Sequence, residues 1–91
     1  MSVRVQLPPI LRPVMGGVRS VEAEGTSVAE VLDNLAGRFP GLALHLYDES
    51  GQIRRNVLFL HEGKAVRPFE AAAHRLGPND EIVVTNALAG G

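Results

Sequence analysis

The sequence predicts an α+β fold, a mixed sheet with one main helix packed on one face. Three observations carry this expectation. Val3, Val5 and Leu7 alternate with Arg4 and Gln6, the period-two pattern of a strand with one side buried. Val28, Val31, Leu32, Leu35 and Phe39 fall on a single helical stripe, and no second helix of comparable strength follows. The last apolar run, Glu81 to Thr85, is β-branched and follows the turn signal Gly77-Pro78-Asn79-Asp80.

Taken in order, the first strand gives way at Pro8, Pro9, Pro13 and Gly16-Gly17 to a loop too poor in backbone donors for a ladder and too long for a hairpin tip. This loop reads as a mobile contact element outside the core. A second strand follows from Val18 to Ala23, with Val21 and Ala23 inward. Ser27-Val28-Ala29-Glu30 has capping-box form, with Thr26 as the competing N-cap, so the helix starts there and stops near Gly37, before Pro40. Leu42, Leu44 and Leu46 fit either a short strand or a helical turn. Asp48 to Gln52 is a loop. Asn56 to His61 is a strand apolar on both faces, turned by Glu62-Gly63 into the short strand Lys64 to Val66. Pro68 to Leu76 holds at most one helical turn before the final strand.

One stripe on the helix needs one partner layer, so the helix covers one side of the sheet, and the first and last strands meet at its centre. This is the β-grasp, or ubiquitin-like, arrangement. Residues 1–86 are expected to form the domain, and 87–91 a flexible C-terminal tail ending in Gly90-Gly91. Val5, Val28, Leu32, Leu35, Phe59, Ile82 and Val84 are the expected core.

Composition narrows the function. With 91 residues there is room for one small core and none for a cleft between lobes. Nine Lys plus Arg against ten Asp plus Glu leave no positive excess for phosphates, so nucleic acid is not the expected partner. The absence of cysteine excludes disulfides, thiolate metal sites and a side-chain persulfide. No segment has the roughly 20 apolar residues of a membrane helix and no signal peptide is evident, so a cytoplasmic protein without membrane contact is expected.

The usual catalytic signatures are missing too. There is no phosphate loop, no dinucleotide fingerprint and no His-Glu-x-x-His, and His45, His61 and His74 are scattered singly, as packing or surface histidines are. Asp48-Glu49 reads as a solvated turn rather than an acid–base couple. No catalytic residue and no metal site is expected. Gly90-Gly91 differs, because a carboxylate on two residues without Cβ atoms can thread a channel closed to bulkier sequences and enter another protein's active site.

The chain resembles the ThiS/MoaD group of ubiquitin-like sulfur-carrier proteins, most closely the CysO-type branch. Ile10-Leu11-Arg12-Pro13 with Gly16-Gly17, Gly25-Thr26-Ser27-Val28, Leu76 to Val83 and the terminal Ala89-Gly90-Gly91 carry the resemblance. Asn86-Ala87, where molybdopterin-type carriers usually show prolines, argues against molybdenum-cofactor synthesis. The resemblance implies a carrier rather than an enzyme. It binds no cofactor of its own; an E1-like adenylating and sulfur-transferring enzyme uses ATP and Mg²⁺ to activate the Gly91 carboxylate, which becomes a thiocarboxylate. Gly90, Ala89 and Leu88 would give the tail access. The implied downstream partners are a sulfur-accepting synthase, pyridoxal-phosphate dependent in the CysO-type branch, and a protease that releases new cysteine. The alternatives are a modifier conjugated through Gly91, or a sulfur donor for thiamine, molybdopterin or a secondary metabolite.

Alternation supplies a partner surface. If Phe59, Ile82 and Val84 face the helix, then Leu58, Leu60, Val83 and Thr85 face the other way, where the one strong helix cannot cover them. The activating enzyme is expected to dock there. The competing expectation is that Leu42 to Leu46 folds over this patch.

Overall fold

In the computed structural model, which describes residues 2–86, β1 (Ser2–Gln6) and β5 (Glu81–Asn86) run parallel at the centre of a five-stranded sheet. β2 (Ser20–Glu24) flanks β1 antiparallel, and β3 (Val57–His61) flanks β5 antiparallel with β4 (Lys64–Val66) outside it, giving the order β2-β1-β5-β3-β4. α1 (Val28–Arg38) and α2 (Pro40–Leu46) complete the fold.

Local chemistry explains the corners. Between β2 and α1, Gly25 sits at φ 151°, and a Cβ there would lie 2.8 Å from the Val31 nitrogen, so no larger residue fits. Glu62 and Gly63, both at positive φ, form the tight turn from β3 to β4. α1 begins as expected at Ser27, whose Oγ accepts from the Glu30 N–H at 3.2 Å. Glu30, however, reaches back to the backbone N–H and hydroxyl of Thr26 rather than to Ser27. The first two helical N–H groups, of Val28 and Ala29, donate to the carbonyls of His74 and Ala71 at 3.1 Å each. The segment before β5 therefore supplies acceptors that the helix cannot supply for itself.

All seven expected core residues are 2% exposed or less. One choice between two readings is decided, for a helix, and two expectations change. Leu42 to Leu46 is helical, and α2 carries Leu42 and Leu46 into the main core cluster with Val57 and Val84, while Leu44 stays 74% exposed. It extends the helical layer; the patch on the opposite sheet face is not what Leu42 and Leu46 bury against. The loop after β1 is not outside the core: its two 3-10 turns, Pro9–Leu11 and Pro13–Met15, bury Leu11 and Met15 and leave Ile10 exposed. Proline removes ladder donors, but short-range turns satisfy the backbone without a ladder, and Leu11 and Met15 are then free to point inward. Nor are His61 and His74 isolated, as described below. No helix among the described residues is long and apolar enough to cross a membrane.

Candidate functional site

From the end of β5 the chain continues toward Gly90-Gly91. Asn86 pairs with Val57 at the start of β3, and the parallel register of β1 with β5 brings the Pro8–Gly17 loop to this same end of the sheet. A small cavity of about 180 Å³ opens here beside Thr85, with Ile10 and Leu11 on one wall and Leu46 and Val57 on another. His45 and Arg54 also line it; the Arg54 guanidinium donates to the Leu44 carbonyl at 3.2 Å, which ties it to α2. Leu88, Ala89, Gly90 and Gly91 themselves lie outside the described residues.

The residues expected to form the partner surface are brought together by strand register. Leu58 stands opposite Thr85, and Leu60 opposite Val83 on one side and Ala65 on the other. Their neighbours along each strand, Val57, Phe59, Ile82 and Val84, are buried toward the helices, so this apolar group lies on the other face of the sheet. All four are half-buried rather than fully exposed. Toward β1 and β2 the same face becomes charged: Arg4 pairs with Glu81 in register, and the Gln6 side-chain amide donates to the Glu81 carboxylate. An apolar half beside a charged half suits recognition by a partner that must be both held and oriented.

At the opposite end of β5, titratable groups meet. His61 Nε2 lies 3.0 Å from Asp80 Oδ2, and His61 Nδ1 lies 2.8 Å from His74 Nε2. An ionised Asp80 only accepts, so neutral His61 carries its proton on Nε2 and takes the His74 N–H at Nδ1. The Gly77 N–H, donating to the same Asp80 oxygen at 2.8 Å, is the main reason this carboxyl is held below its ordinary value, with His61 second. Residues far apart in sequence are joined by this chain, and spacing alone could not reveal it. Glu62 with His61 and Asp80 is the group among the described residues whose potential metal donors lie within 4.8 Å of one another. Asp80 and His61 already spend their facing atoms on each other and on Gly77, so the cluster is a brace between β3, β5 and the segment that caps α1.

Elsewhere, Asp48 behaves as the solvated turn that was expected. Its Oδ1 accepts from the Ser50 hydroxyl and N–H and from the Gln52 N–H, which holds its carboxyl below the usual range. The Tyr47 hydroxyl, by contrast, donates to Asp33 at 2.7 Å; burial and this acid push its ionisation up.

The ThiS family model matches residues 5–91. The sulfur carrier protein CysO of Mycobacterium tuberculosis is 33% identical over 93 aligned residues that span 100% of both chains. Among solved structures, CysO in the Amycolatopsis orientalis BexX/CysO complex superposes with a TM-score of 0.81 at 31% identity, covering 98% of this chain and 99% of that one. M. tuberculosis CysO superposes at 0.80 and 31% identity, with 94% and 99% covered. Haloferax volcanii SAMP1, at 24% identity and a TM-score of 0.83 over 100% of both chains, shares the fold. By full-length sequence similarity and by a ubiquitin-like β-grasp fold, this chain belongs to the ThiS family.

Proposed function

We propose that this chain is a sulfur carrier whose cargo is a thiocarboxylate on Gly91, used most directly in cysteine biosynthesis. The observation that carries the proposal is the full-length similarity to CysO, a sulfur carrier protein, in a family match that runs through the diglycine to residue 91. The chemistry follows from the terminal group. A carboxylate is a poor electrophile because its leaving group would be an oxide. When the Gly91 carboxylate oxygen attacks the α-phosphorus of Mg²⁺-bound ATP on an activating enzyme, pyrophosphate leaves and a mixed anhydride with AMP forms. A sulfur nucleophile then adds to that carbonyl carbon and AMP departs, placing sulfur on the carbonyl. A chain without cysteine carries sulfur by this route with no reactive side chain of its own.

The rest of the domain is then an address. The half-buried Leu58, Leu60, Val83 and Thr85 form the face on which the activating enzyme docks, while Gly90, Ala89 and Leu88 let the terminus enter its site. The loaded carrier next meets a sulfur-accepting synthase, a pyridoxal-phosphate enzyme acting on an activated serine, and a protease frees the product. That the A. orientalis CysO was solved in a complex with BexX supports the reading that such a fold works through partner proteins. The test is ATP–pyrophosphate exchange by the activating enzyme with the intact chain and with Gly91 deleted. The intact chain should support exchange and the deletion should not; equal exchange would refute the role of Gly91.

A further inference from the structure

A second surface lies on the helical side of the molecule, away from the Leu58–Leu60 patch. Between α1 and the segment that follows β4 runs an open groove of about 720 Å³. Its apolar lining includes Ile53, the ring of Tyr47 and Phe69. Phe69 is 82% exposed, the most exposed large apolar side chain among the described residues. The turn that carries it is rigidly set. Glu70 Oε1 accepts the Arg67 N–H at 2.8 Å, the Ala71 N–H closes the turn on the Pro68 carbonyl, and Ala71 is buried beneath. An aromatic ring is thus held out in water by a built element, not left on a frayed one.

The charges beside it point one way. Arg55 and Arg67 line the groove, and neither guanidinium has a hydrogen-bond or ion-pair partner among the described residues. The one acid on the lining, Asp33, has an oxygen engaged by the Tyr47 hydroxyl at 2.7 Å. Aromatic and arginine side chains around an apolar floor are the composition of a binding hot spot, and two unpaired cations call for an anionic occupant. The groove also has an end close to the end of β5, the strand from which the chain continues toward Gly91: Arg55 lies two residues before Val57, the partner of Asn86.

We propose that this groove seats an acidic peptide segment with an apolar anchor, presented by a protein that handles the C-terminal tail while the opposite sheet face stays free. The anchor packs on Phe69 and Ile53, and flanking carboxylates pair with Arg55 and Arg67. Two partners can then hold the domain from opposite sides, one by the sheet and one by the helical layer. The groove and its occupant are independent of which cargo Gly91 carries.

The test uses the full chain and a fluorescein-labelled dodecapeptide in which Asp and Glu flank a central Leu-Trp-Leu. Its two controls replace the acids with Lys, or the Leu-Trp-Leu with Ser. The acidic apolar peptide should bind at least about ten-fold more tightly than either control, with backbone amide shifts at Gly51, Ile53 and Ala72. Arg55→Glu with Arg67→Glu, or Phe69→Ser, should each weaken it about ten-fold or more, and Leu60→Glu should not. Arg55, Arg67 and Phe69 are exposed, so unchanged thermal midpoints are expected for the arginine and Phe69 variants. ATP–pyrophosphate exchange by the activating enzyme should be the same with the double arginine variant as with the parent chain, which separates failure here from failure of the carrier reading. Equal binding of the three peptides, no binding, shifts confined to the Leu60 and Val83 region, or affinity indifferent to the arginines would overturn the proposal.

Discussion

Leu60 of β3 and Val83 of β5 are direct cross-strand partners on the sheet face turned away from α1, and both are half-buried. Two apolar residues in that position contribute modestly to folding while presenting area that a partner can finish burying. Leu60→Glu should therefore lower stability by no more than about 1 kcal/mol but sharply weaken association with the activating enzyme. Unfolding by denaturant and a direct binding titration read the two effects separately. Large destabilisation with unchanged binding would make this face core.

Phe59, the neighbour of Leu60 in the strand, behaves oppositely because it is 0% exposed beneath the helices. Phe59→Ala or Leu32→Ala should cost about 2–5 kcal/mol, a large share of the stability of a small domain. Equilibrium denaturation measures it, and a loss of only about 0.5 kcal/mol, the usual size of a surface change, would contradict the packing.

The loop after β1 gives a contrast within two adjacent residues. Leu11 is 5% exposed and Ile10 is 65% exposed. Leu11→Ala should cost about 2 kcal/mol or more, whereas Ile10→Ser should leave the thermal midpoint almost unchanged. Equal effects would mean that the two 3-10 turns do not hold this loop as described.

What the sequence made legible and what it did not follows from the range of the forces involved. The alternation of Val3 and Val5, the stripe from Val28 to Leu35 and the β-branched run of β5 are local patterns, and each named its buried face correctly. Leu42 to Leu46 is ambiguous in sequence because leucines at 42, 44 and 46 satisfy period two while Leu42 and Leu46 also share a helical face; the proline at position 40 starts the helix, and contact with α1 favours it. Leu11 and Met15 were missed because proline punctuation signals what the backbone cannot do, not where a side chain between prolines will point. The His74–His61–Asp80 chain was invisible for another reason: it depends on β3 and β5 pairing at His61 and Ile82, a tertiary register. For the proposed site, the diglycine and the outward strand positions could be read directly. The groove at Phe69 could not, since exposure of one aromatic leaves no periodic trace.

That histidine–aspartate chain makes a pH prediction. Gly77 and then His61 hold the Asp80 carboxyl below 3.8, and the Thr26 N–H and hydroxyl hold Glu30 below 4.5. Both groups bind fewer protons folded than unfolded in the acid range, so their contribution is complete above those ordinary values and is lost as pH falls through the lower folded ones. Asp80→Asn keeps an acceptor for the Gly77 N–H but cannot titrate. The variant's thermal midpoint should fall less steeply than the parent's on acidification, and superimposable acid limbs would rule Asp80 out as a contributor.

The most direct measurement is the intact mass of the chain after incubation with its activating enzyme, ATP, Mg²⁺ and a sulfide source. A sulfur carrier should show a rise equal to the replacement of one oxygen by sulfur, located on Gly91 by fragmentation and absent when ATP is omitted or Gly91 is deleted. An unchanged mass with a competent activating enzyme, or accumulation only of larger conjugates joined through Gly91 to lysine amines, would contradict the carrier role.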